Sequence, residues 1–199
     1  MARLRKFAAY RRLERPYTRI SKFREKSFIR ATPHLVLNKF TMGDSSKEFP
    51  YKLDLVSKNP VQIRHNALES ARMAVNRHLE SVLGKKTFLF RVVIYPHHIL
   101  RENPLASGAG ADRMSTGMKR SFGKAIGRAA QIDSGQTIFS VWVPKSGVPV
   151  AKKALEKAKY KIPCSCSVII HDPVKKSVVS KKSLVPEKPV LDSKEVVQA

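Results

Sequence analysis

The sequence predicts an α+β fold, with two helices packed on one mixed or antiparallel sheet, a basic N-terminal arm and a long glycine-rich loop. Three observations carry that prediction. Short apolar runs bounded by turn residues surround only two segments of helical period. Hydrophobic residues make up 42% of 199, enough for one core with tails attached. The 39 Lys and Arg outnumber 15 Asp and Glu, and the resulting charge of +24 is spread unevenly. The expected organisation is an arm over residues 1–30, a core over 31–171 that includes a loop over 101–130, and a disordered basic tail over 172–199.

The arm interleaves cations with aromatics. Arg3, Arg5, Lys6, Arg11, Arg12, Arg19 and Arg24 alternate with Phe7, Tyr10, Tyr17, Phe23 and Phe28, and no helical or strand period emerges. Residues 34–40, HLVLNKF, form a short strand candidate, and TMGDSS after them a turn. Residues 51–56, YKLDLV, alternate as a half-buried strand does. The clearest helix follows. Asn59 is its expected cap and Pro60 its first turn, and Gly84 is its stop. Val61, His65, Leu68, Ala71, Val75, Leu79 and Val82 make one apolar stripe along it.

Residues 87–96 and 136–144 are apolar strands. The second helix starts near Pro149. Ala151, Ala154, Leu155 and Ala158 face inward, and Lys152, Lys153, Lys157 and Lys159 face outward, as a solvated or RNA-facing surface. A last strand covers residues 163–170. Trp142, Phe88 and Phe90 are expected in the core.

Such an excess of charge calls for a polyanionic partner: nucleic acid, an anionic membrane or acidic proteins. No run of eighteen apolar residues is present, so no bilayer span is expected. The first residues lack the apolar stretch of a secretory signal, and two cysteines are too few for a disulfide framework. The chain reads as cytosolic and reduced.

Residues 107–130 hold five glycines among basic side chains, and two enzyme readings of them fail on spacing. A dinucleotide fingerprint needs a third glycine where Arg113 stands, directly after a strand. In a phosphate-binding P-loop, Gly117 and Gly123 are one residue too far apart, and Ala125 replaces the magnesium-binding hydroxyl. The loop fits RNA better. Glycines let backbone N–H groups approach phosphates, and Arg113, Lys119, Arg120, Lys124 and Arg128 supply charge-assisted bonds. Cys164 and Cys166, with His171 nearby, fall short of a four-ligand metal set and read as core thiols. His97 and His98 read as strand-end residues or RNA contacts. No catalytic residue, metal or cofactor is expected. The rival class is a free-standing chaperone or compactor of nucleic acid, which would also bind duplex DNA.

The segments MARLRKFAAYRRLERPYTR, PHHILRENP, ASGAGADRMSTGMKRSFGKAIGRAA and GQTIFSV resemble the L-sixteen/L-ten-e family of large-subunit ribosomal proteins, in its archaeal and eukaryotic branch. The match runs from about residue 1 to 170. The resemblance implies a hammerhead-type α/β sandwich at the base of the central protuberance, in contact with large-subunit rRNA, near 5S rRNA and beside neighbouring ribosomal proteins. It implies that residues 101–118 reach toward the peptidyl-transferase centre and the acceptor end of A-site tRNA. Asn103, Ser107, Gly108, Gly110 and Asp112 would then be the tRNA-proximal positions. It further implies a cytoplasmic, ribosome-bound protein without enzymatic activity. The chain departs from the family at Lys119-Arg120-Ser121, where small residues are usual, and at Ala125, where a proline is common. The tail after Asp172 lies outside the resemblance. These departures favour an archaeal source.

Overall fold

A computed structural model describes residues 31–103 and 123–171, together with residues 6–10, 13, 23, 25 and 29. The fold grows from one long antiparallel pairing. Strand β2 (Tyr51–Ser57) lies against β7 (Thr137–Val143), with Leu53 opposite Val141 and Leu55 opposite Phe139. Around that pair, β1 (Thr41–Gly43), β4 (Leu89–Val92) and β8 (Cys166–His171) complete a five-stranded sheet in the order β1-β4-β7-β2-β8. Every ladder in it is antiparallel.

The expected single sheet is in fact two. Past Ser57 and before Thr137 the paired segments turn and pair again as β3 (Val61–Arg64) with β6 (Lys124–Ile132), and β5 (His98–Glu102) adds to the other edge of β6. The junction is held by backbone bonds from Ser57 N–H to the Gln136 carbonyl (3.0 Å) and from Gly135 N–H to the Ser57 carbonyl (2.9 Å). The Ser134 hydroxyl adds a bond to the Lys58 carbonyl (2.7 Å). Gly135 sits at φ +80°, a conformation that favours glycine.

Pairing also moves the start of the first helix. α1 spans His65–Leu83, not the segment from Asn59. Val61, Gln62 and Ile63 are buried in β3, where β6 satisfies their backbone. Val61 does precede His65 by a helical interval, but sheet pairing overrides that local pattern. The rest of the stripe holds through Leu68, Ala71, Val75 and Leu79, whereas Val82 is exposed. Gly84 ends the helix as expected, at φ +85°. α2 (Val148–Lys159) buries the expected Ala151, Ala154, Leu155 and Ala158. Its small side chains let α1 approach closely.

Both helices join one core with the sheet face that presents Leu53, Leu55, Phe90, Val92, Phe139, Val141 and Val143. One face of the small sheet joins the same core through Val61, Ile63, Ala130 and Ile132, while Leu100 and Ala129, with Ile126 against them, form a separate and sparse cluster.

Three smaller corrections follow from pairing. Residues 34–40 are not a strand, although Leu37 is buried; the strand is Thr41–Gly43, inside the expected turn. Gly43 is required there: it sits at φ +89°, and a Cβ would lie 2.1 Å from the Phe88 carbonyl oxygen. The strand expected over 87–96 pairs only as Leu89–Val92. The loop expected over 101–130 gives up both ends, Arg101 and Glu102 to β5 and residues 124–130 to β6.

Candidate nucleic-acid interface

Of the cations expected on RNA, three are described. Lys6 is exposed at the entry to a short 3-10 turn (Phe7–Tyr10), and Phe7 packs against the main core, so the arm is tied to the fold at this point. Lys124 is exposed and opposes Glu102 at the end of the β5–β6 ladder. Arg128 braces the fold: its Nε donates to the Pro33 carbonyl (2.9 Å), and a terminal nitrogen donates to the Tyr95 hydroxyl (3.2 Å). Arg3, Arg5, Arg11, Arg12, Arg19, Arg24, Arg113, Lys119 and Arg120 lie outside the described residues. Ser107, Gly108, Gly110 and Asp112 lie outside them as well, while Asn103 is half-buried just past β5.

The ladder pairs Glu102 with Lys124, so the segment between them leaves and returns at one place. A chain of roughly twenty residues that goes out and back reaches at most about 35 Å from its base.

Sequence reasoning missed a second surface. From Arg91 to His98, exposure alternates strictly: Arg91, Val93, Tyr95 and His97 are exposed, and Val92, Ile94, Pro96 and His98 are buried. Phe40 stacks on Tyr95 with ring centroids 5.4 Å apart and planes at 23°, and the His97 ring lies 4.6 Å from that of Tyr95. The period of two within FLFRVVIYPHH was the available signal, but the run reads as uniformly apolar until Arg91 and Tyr95 are placed on one side.

This row borders the face of the five-stranded sheet that, among the described residues, no helix covers. Thr41, Arg91, Ser140, Trp142, Lys52 and Asp54 share that face by register. A bulge brings Thr137 onto it, because Leu55 opposes Phe139 but Val56 opposes Thr137. Trp142, expected in the core, is half-buried here and lines an open groove of 580 Å³.

The one carboxylate on this face is already engaged. Buried Asp54 accepts from the Ser140 hydroxyl (2.6 Å), the Lys52 ammonium (2.7 Å) and the His171 imidazole (2.9 Å). Lys52 also sits 5.7 Å above the Trp142 ring. Arg91 has no protein partner among the described residues.

His171 is thus turned away from the cysteines. Their sulfurs are 3.4 Å apart, and the Ser57 hydroxyl donates to Cys164 (3.6 Å). The hydrogen bond from Cys166 lowers the Cys164 thiol to about 7 and pushes the Cys166 thiol upward. Cys166 is buried as expected, and Cys164 is half-exposed. Among the described residues no three metal-ligating side chains come together. No described helix is long and apolar enough to cross a membrane.

An α+β core with cations and aromatics along one exposed row, beside a β5–β6 ladder that ends at Glu102 and Lys124, fits the class of RNA-binding proteins. The comparisons narrow that class. The model of the family "Ribosomal protein L16p/L10e" matches residues 14–169, and the chain belongs to this family. The large ribosomal subunit protein uL16 of Methanococcus maripaludis (strain S2) is 45% identical over 168 residues, covering 84% of this chain and 94% of that one. The protein of the same name from Archaeoglobus fulgidus is 44% identical over 162 residues (81% and 90%), and that from Methanocella arvoryzae 41% over 149 (75% and 87%). The family is a structural component of the ribosome and not an enzyme, in line with the failed glycine spacings.

Proposed function

We propose that the chain is a structural constituent of the large ribosomal subunit in the cytoplasm, where it binds rRNA beside neighbouring ribosomal proteins. Identity of 41 to 45% with archaeal proteins named for that subunit is the observation that carries this reading. The charge of +24 supplies the physical reason: cations placed where rRNA helices crowd together lower phosphate repulsion.

The finer reading puts the protein near the central protuberance and 5S rRNA, at the A-site tRNA corridor. The arm, through Arg3, Arg5, Lys6, Arg11, Arg12, Arg19 and Arg24, threads among rRNA backbones. Arg113, Lys119, Arg120, Lys124 and Arg128 serve the loop. Its tRNA-proximal positions are Asn103, Ser107, Gly108, Gly110 and Asp112, and the segment reaches toward the peptidyl-transferase centre and the acceptor end of tRNA. The joined ends of this segment at Glu102 and Lys124 support such a projection.

Sucrose-gradient sedimentation of a tagged chain tests the first level. It should travel with large subunits and full ribosomes, and absence from both overturns the proposal. Deleting residues 106–111 tests the second. Subunits should still assemble, and A-site tRNA accommodation should slow. Unchanged accommodation on assembled particles sinks the loop assignment and leaves the ribosomal one standing.

A further inference from the structure

The face of the large sheet that no described helix covers is unexplained by the arm or by the loop. We propose that its groove takes one unpaired nucleotide of single-stranded RNA, with the base against Trp142 and the adjoining phosphate on Arg91. The proposal rests on the reading of the chain as an RNA-binding ribosomal protein and names a contact that reading does not contain.

Size comes first. The groove of 580 Å³ lies within the range that holds small ligands and suits a single nucleotide. A double helix cannot put a base face into it, because its bases are stacked on one another.

Chemistry narrows the occupant further. Lys52 sits over one side of the half-buried indole at 5.7 Å, and the rest of the ring offers a flat platform on which any base can stack. Thr41, Thr137 and Ser140 line the walls. Their hydroxyls suit a ribose or a base edge. Asp54 would repel phosphate if it were unpaired, but Lys52, His171 and Ser140 already surround its carboxylate. Arg91 at the rim is therefore the uncompensated charge, and its planar fork matches phosphate oxygens.

Continuity supplies the direction of the strand. The exposed row runs from Arg91 through Val93 and Tyr95 to His97, one residue before β5. β5 in turn leads to the segment read as the RNA- and tRNA-facing loop. Phe40 both lines the groove and stacks on Tyr95, which in turn meets His97, so ring contacts run from the groove to the start of β5.

Trp142 is the chain's single tryptophan, which makes intrinsic fluorescence a direct reporter of the groove. The full chain is titrated with a ten-nucleotide single-stranded oligouridylate carrying a terminal dye outside the indole's spectral range. Dye anisotropy reads total binding, and tryptophan emission reads the groove. The expected result is saturable quenching in step with the anisotropy, and little quenching by a duplex of equal length that still binds. Arg91→Ala, an exposed change that spares the core, should weaken the quenching isotherm roughly tenfold, the scale of one charged hydrogen bond. Binding by anisotropy with unchanged tryptophan emission overturns the groove and leaves RNA binding intact. No binding at all would count against both readings. Quenching that is indifferent to Arg91→Ala removes the phosphate contact and with it the proposal.

Discussion

The two sheets share a continuous pair of chain segments but are stabilised by different means. In the five-stranded sheet, one face is sealed by α1 and α2 over Phe90, Phe139, Val141, Leu53 and Leu55. In the three-stranded sheet, Val61, Ile63, Ala130 and Ile132 of β3 and β6 reach that same core, but the β5 side rests on Leu100 and Ala129 with Ile126 beside them, and polar contacts brace it. Arg128 reaches Pro33 and Tyr95, and the Gln131 amide donates to Gln62 (3.2 Å). Apolar burial is non-directional and strong, so the large sheet is a rigid scaffold. Hydrogen bonds are directional and modest in net worth, so the β5 side of the small sheet is the weaker part of the fold. The strands that bracket the segment proposed above to face RNA and tRNA, β5 and β6, meet at this weaker side. Low local stability is typical of elements that must adjust to a partner.

The strongest test of this contrast is a matched pair of truncations. Phe139→Ala empties the centre of the large core, where Phe90 meets Phe139 edge-on with centroids 5.5 Å apart. It should cost about 3–5 kcal/mol and lower the urea midpoint of the whole chain. Leu100→Ala should cost about 2 kcal/mol, at the low end for buried leucine, because the apolar cluster around it is small. Amide exchange should show that loss mainly over β5 and β6. Equal global losses from the two variants would mean that the sheets unfold as one unit.

A smaller effect is expected at Arg128. Arg128→Ala removes two donors and leaves the Pro33 carbonyl without that partner, a cost of about 1–3 kcal/mol. Exchange protection should fall in β5–β6 and at residues near Pro33, with β2–β7 unchanged. Lysine should not restore it, because one ammonium cannot span both acceptors as the guanidinium fork does. Full rescue by Arg128→Lys would reduce the brace to simple charge.

Much of the scaffold was legible in the sequence because its signals are local. Tyr51, Leu53 and Leu55 alternate, the alanines of α2 recur at helical spacing, and Gly84 stops α1. What escaped is set by long-range pairing. Nothing local distinguishes Val61 and Ile63 as strand residues from the first turn of a helix; β6, about seventy residues away, decides it. The same holds for Thr41–Gly43, which pairs with β4 only because Gly43 tolerates the Phe88 carbonyl at its Cα. Among the residues proposed for the interface, the cations of the arm and loop were visible as composition. Arg91, Tyr95, Phe40 and Trp142 were not, because a sheet's two faces separate only once register is known. Arg128 was read from its charge alone, and the bonds to Pro33 and Tyr95 add a structural duty that no spacing encodes.

The subtlest prediction uses protons to load the small sheet. His65 opens α1 and is buried, with Nδ1 unpartnered and Nε2 directed toward Gly127 of β6, 3.5 Å from where a Cβ there would stand. Burial, reinforced by the positive fields of Arg128, His34 and Arg64, holds its imidazole below the usual 6.5. The folded chain therefore binds fewer protons than the unfolded chain between the lowered value and 6.5. Stability contributed by neutral His65 is complete above about pH 6.5 and is lost as pH falls toward the folded value. His78, between the helices beside Lys157 and Lys153, is shifted in the same direction, so a global melt would mix the two. Amide exchange separates them. Between pH 7.5 and 5.5, protection in β6 should fall relative to β2–β7 in the same sample, and His65→Gln should flatten that ratio. A ratio that still changes with pH in the glutamine variant would assign the sensitivity to another group and leave the small sheet without a proton-linked hinge.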